Sequence, residues 1–137
     1  MHAQAARRYQ QVQTSTSTPG EILLALYEGL FRFLKGAKLC FENKQHVRGR
    51  ELLSKSHAIL SELLLALDHP KAPELCAQLE SIYEYCMSMI LQANLKTDAN
   101  MIEDILRVLS PLQDAWTEAV PEALRQASQP GTLKNAG

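Results

Sequence analysis

Long apolar runs are missing from this chain. No stretch of 18 or more hydrophobic residues occurs, which excludes a transmembrane helix. Alternating β-branched residues are missing too, and with them any candidate strand. Cysteine is sparse. Cys40, Cys76 and Cys86 are odd in number and form no Cys-x-x-Cys, and two of them fall inside apolar helical patterns. They read as buried thiols in a reducing cytosol rather than as redox or metal sites. A charge excess of one sign is lacking as well: 14 Lys and Arg face 15 Asp and Glu, for a net charge of -1. Nucleic acid would want a clustered basic face. The small basic group Lys44, Arg48, Arg50 and Lys55 reads as a solvated helix face. Residues 1–13 are polar and have no apolar core, so a secretory signal is not expected.

Motifs of chemistry are equally scarce. There is no Gly-x-Gly-x-x-Gly and no P-loop. His2, His46, His57 and His69 are scattered, without partners at a ligand spacing that repeats on another helix. The Glu-x-x-His pairs of a di-iron bundle do not occur. A helical phosphotransfer domain would carry a reactive histidine just before a Leu-Lys-Gly step. Leu34-Lys35-Gly36 supplies the step, but the histidine's place is taken by Arg32, which cannot accept and release phosphate. No catalytic residue, cofactor or metal is therefore expected, and binding is the more economical function.

What the chain does have is four helix-length apolar patterns. Thr18-Pro19-Gly20-Glu21 is a strong start, with Thr18 as cap, Pro19 at the first helical position and Glu21 completing a capping box. Ile22, Leu26, Leu30, Phe33, Leu34 and Ala37 then recur at helical spacing, to an end near Phe41 or Asn43. Gly29 and Gly36 inside this helix suggest a second backbone packed close by. The second helix is expected over residues 44–67, with Leu52, Ile59, Leu60, Leu63 and Leu67 inward, and ends before Pro70. Pro73 opens the third, whose core row is Leu75, Leu79, Ile82, Tyr83, Cys86, Met89, Ile90 and Ala93. Thr97 or Asp98 caps the fourth, with Ile102, Ile105, Leu106, Leu109, Leu112, Trp116 and Val120 inward. Pro111 and Pro121 predict a kink or break in it. Short connections between helices ~33 Å long imply antiparallel neighbours. The expected fold is all-α: an antiparallel up-and-down four-helix bundle over residues 18–128, with a flexible N-terminal arm at 1–17 and a polar tail at 129–137.

The apolar rows exceed what one seam needs. On the third helix Met87, Leu91 and Leu95 continue, at i, i+4, a row begun by Tyr83. On the second, Leu53, Leu64 and Leu65 are in excess. They suit either a wide bundle with scattered surface leucines or a groove for an apolar partner helix. On the groove reading Leu53, Leu60, Leu64, Tyr83, Met87 and Leu91 line it, and the arm, through Tyr9 and Val12, lies over apolar surface until a partner arrives. The same surplus would also serve a homo-oligomeric scaffold or regulator.

Several strings, in order, resemble the flagellin-specific export chaperone family. Tyr9 stands where that family keeps an arm tyrosine, and Thr18-Pro19-Gly20-Glu21 resembles its Ser-Pro-x-Glu helix opening. Leu26-Tyr27-Glu28-Gly29, followed by Arg32-Phe33-Leu34, resembles its Leu-Tyr-Asp-Gly segment. Leu67-Asp68, Ile82-Tyr83-Glu84-Tyr85, Ala93-Asn94 and Trp116 match further positions. Glu28 replaces Asp, Ile82 replaces Leu, and Pro111 and Pro121 are departures. The resemblance implies a non-enzymatic cytoplasmic chaperone, a monomer or weak dimer. It would bind the C-terminal segment of flagellin, prevent its premature polymerisation and keep it competent for type III export. The flagellar export apparatus is implied as a further partner, with no nucleic acid and no membrane insertion. It also implies client-binding roles for Tyr27 and Asn94.

Overall fold

A computed structural model describes residues 17–128. Among them lie four helices and no strand: α1 (Pro19–Glu42), α2 (His46–Leu65), α3 (Pro73–Lys96) and α4 (Ala99–Ala127). The expected arm with Tyr9 and Val12, and the expected tail, lie outside the described residues apart from Ser17.

The helix ends follow from local chemistry. Thr18 Oγ1 accepts the Glu21 N–H at 3.2 Å, and Glu21 Oε1 accepts the Thr18 N–H at 3.4 Å, which is the expected capping box. Of the two candidate caps for α4, Asp98 serves: its Oδ1 accepts the N–H groups of Asn100 at 2.9 Å and Met101 at 3.4 Å. Thr97, with φ 46°, takes the left-handed conformation that closes α3.

The described residues divide into two compact units, Leu26–Leu112 and the pairing of residues 17–25 with 113–128. The larger unit holds parts of all four helices as an antiparallel up-and-down bundle. Position rises along α1 as it falls along α2. Gly29 faces Ile59, Gly36 faces Leu52, and Phe41 faces Gly49. Late α1 meets early α4 through an ion pair of 2.8 Å between Lys38 Nζ and Glu103 Oε2. The hydrogen bond from Lys38, then its charge, holds the Glu103 carboxyl below its ordinary range. In the smaller unit, Gly20 at the start of α1 lies against Val120 of α4.

The core of the larger unit contains Leu30, Leu34, Leu53, Leu60, Cys86, Ile90, Ile102, Ile105 and Leu109, all buried. Ser56 is sealed in with them. Its hydroxyl donates to the Leu52 carbonyl at 2.9 Å, so the buried group is paired along its own helix.

Three expectations need correction. Helix α4 runs unbroken through Pro111 and Pro121, so the break expected as one alternative to a kink does not occur. Each proline frees a carbonyl four residues back, at Arg107 and Thr117, and both prolines and both of these residues are exposed, so water can take the missing donor's place. Leu75 is 47% exposed rather than core, because the inward row of α3 starts one residue later, at Cys76. The neighbours of Gly29 and Gly36 are the side chains of Ile59 and Leu52, not another backbone.

Candidate functional site

An i, i+4 row on a helix turns about 40° with each step, so a row that begins in a core must come out at the surface. On α3 it does so within three steps. Tyr83 is buried, Met87 is half-buried, Leu91 is 56% exposed and Leu95 is 84% exposed. Because α2 and α3 run antiparallel, the end of this row comes beside the start of α2. There Arg50, Leu91, Asn94 and Leu95 line an open depression of about 530 Å³. Its walls are almost entirely apolar. Within it Asn94 Oδ1 is buried and accepts no hydrogen bond from the described residues. Arg50 makes no ion pair with a described residue, whereas nearby Arg48 is held by Glu51 at 3.1 Å.

Leu91 and Asn94 thus fall on one open surface, and Met87 stands at its approach. Four other residues expected on a partner-facing surface do not. Tyr27, Leu53, Leu60 and Tyr83 are sealed inside the bundle. For Leu53 and Leu60 the reason is geometric. In a four-helix bundle each helix meets two neighbours and buries a wider band than a single seam requires. For the tyrosines it is chemical. Their hydroxyl oxygens are 2.6 Å apart, a buried hydrogen bond that ties α1 to α3. Burial above all, and then this bond, keep the Tyr83 phenol protonated far above its ordinary range. Leu64 is half-buried, while Leu65 beside it stands 85% exposed at the far end of α2. Arg50 is the residue that sequence reasoning missed at the depression. Its charge had been grouped with a solvated basic face, and no periodicity in α2 marks its position beside the end of α3.

The thiols are all free. Cys76 and Cys86 are buried and Cys40 is half-buried. Burial pushes the Cys86 thiol up to about 12. Among the described residues no His, Cys, Asp or Glu cluster could hold a metal ion, and no helix is long and apolar enough to cross a membrane.

The bundle thus leaves a row of leucines open to solvent beside an apolar hollow. Comparison with known proteins gives the family. The model of the flagellar protein FliS family matches residues 1–123. The flagellar secretion chaperone FliS of Bacillus subtilis is 35% identical over 112 residues, 82% of this chain and 83% of the relative. That of Salmonella typhimurium is 33% identical over 132 residues, 93% of this chain and 98% of the relative. The crystal structure of a bacterial flagellar chaperone superimposes with a TM-score of 0.71 at 25% identity, covering 89% of this chain and 99% of that one. The chain belongs to the FliS family of flagellar chaperones.

Proposed function

We propose that this protein is a cytoplasmic flagellar secretion chaperone. It binds the C-terminal segment of flagellin, prevents its premature polymerisation and keeps it competent for type III export. The observation that carries this reading is the emerging row Met87–Leu91–Leu95 beside the apolar depression between α2 and α3. A disordered amphipathic segment can become helical on such a surface. The entropy lost in ordering it is offset by the apolar area covered, typically ~1,000–3,000 Å². Its work is binding, and the export apparatus is a second partner of the loaded complex.

The exposed leucines would equally suit pairing between copies of this chain, and solution mass separates the two readings. Light scattering should find a monomer or weak dimer that forms a one-to-one complex with a flagellin C-terminal peptide. A tight dimer indifferent to that peptide would establish the scaffold instead.

A further inference from the structure

An arginine beside an apolar hollow is informative when no described residue pairs with it. Arg48 is engaged by Glu51, and the Lys55 ammonium lies over the Phe33 ring at 5.5 Å. Arg50 is exposed, makes no ion pair among the described residues, and shares a wall with Leu91 and Leu95. One turn back along α2, Val47 is 73% exposed, so the apolar surface continues on the same side of that helix. Arg50 therefore brings a charge to the edge of an otherwise apolar surface, and Asn94 beside it keeps a buried Oδ1 that no described residue pairs.

A helix that laid only leucines on this surface would draw water away from the guanidinium and give nothing back. A helix with a carboxylate at the edge of its apolar stripe, one turn from the residues seated on Leu91 and Leu95, would meet the charge with a bidentate pair. The hollow thus selects among apolar helices by one acid at one register. We infer that Arg50 is a specificity-determining residue. It recognises a client helix by an Asp or Glu flanking its apolar face and thereby sets the register of that helix along α3. This rests on the proposed chaperone reading, and it adds a sequence requirement to it.

The test uses the full chain and a synthetic peptide of a flagellin C-terminal segment, with a parallel set in which each Asp or Glu is changed singly to Asn or Gln. Affinity is measured by calorimetry at low and high salt. Arg50→Gln should weaken binding of the parent peptide roughly five- to tenfold at low salt, and less at high salt. One peptide in the set should show the same loss on the wild-type chain and no further loss on Arg50→Gln, because both changes remove one interaction. Equal affinity of Arg50→Gln and wild type, while Leu91→Glu binds poorly, would overturn the charge recognition and leave the client surface standing. Losses that add for every peptide would overturn it too, since they would mean a general field rather than one partner. If neither Arg50→Gln nor Leu91→Glu alters binding, the client surface itself is misplaced and the inference falls with it.

Discussion

Deleting the Tyr27 hydroxyl puts the internal logic of the bundle to its most direct test. Among the described residues Tyr83 Oη is hydrogen-bonded to Tyr27 Oη alone, at 2.6 Å, and both rings are buried. Tyr27→Phe keeps the ring and removes the partner, leaving the Tyr83 hydroxyl sealed from water with its bond unmade. An orphaned buried polar group costs ~1–3 kcal/mol, whereas replacing both partners by apolar groups of the same shape is far milder. The double variant Tyr27→Phe/Tyr83→Phe should therefore lose less stability than the sum of the two single variants, with a coupling of about 0.5–3 kcal/mol. Each kcal/mol lowers Tm by roughly 3–5 °C in a chain of this length. Urea melts followed by circular dichroism at 222 nm supply the four free energies of the cycle. Strict additivity, or a Tyr27→Phe cost under ~0.5 kcal/mol, would refute the argument that this bond is sealed from water and couples the two rings.

Other outcomes follow from neighbouring features. A Cβ on Gly49 would lie 2.5 Å from the Phe41 ring, which is itself buried, so Gly49→Ala should cost about 1–3 kcal/mol of overpacking less ~1 kcal/mol of helix propensity. Gly29→Ala, with Ile59 at an ordinary 3.5 Å, should be neutral or stabilising, and paired chemical melts compare the two. At pH 8 a thiol reagent should modify half-buried Cys40 first and reach Cys76 and Cys86 only on unfolding, as timed labelling would reveal. The folded Cys86 thiol is raised from 9.0 to about 12, so the unfolded chain releases its proton first. Stability held below pH 9 should then decline from about 9 to 12, and less so in Cys86→Ala, in melts taken across that range. Leu91→Glu and Leu95→Glu change exposed positions, so they should shift stability by under ~0.5 kcal/mol while weakening flagellin-peptide binding; a collapsed fold in either would mean the row is core.

The helices were legible in the sequence because their signals are local. The capping box at Thr18 and Glu21, Pro19 and Pro73 at first turns, and the 3.6-residue rhythm all act within a few residues. The inward row of α4 followed from the same rhythm, whereas in α1 Leu30, Leu34 and Ala37 are buried as expected but Ile22, Leu26 and Phe33 are only half-buried and Phe31 is core instead. What periodicity could not supply was the number of neighbours each helix has. Leu53 looked surplus against one seam and is core against two, Leu60 was expected inward and is buried there, and Tyr27 fell outside the expected inward row of α1 yet is core. The emergence of Leu91 and Leu95 was legible, since a wheel shows an i, i+4 row rotating outward. Arg50 was not, because its meaning comes from Leu91, Asn94 and Leu95, which are distant in sequence and lie on another helix.

The two prolines of α4 leave gaps in its hydrogen-bond ladder, both on its exposed side. Where a backbone bond is absent, the local helical conformation depends on the inward anchors nearby, which are Leu109 beside Pro111 and Val120 beside Pro121. Trimming either anchor should therefore do more than open a void: it should release a hinge. The same trim at Leu34, where the ladder of α1 is whole, should leave only an emptier interior.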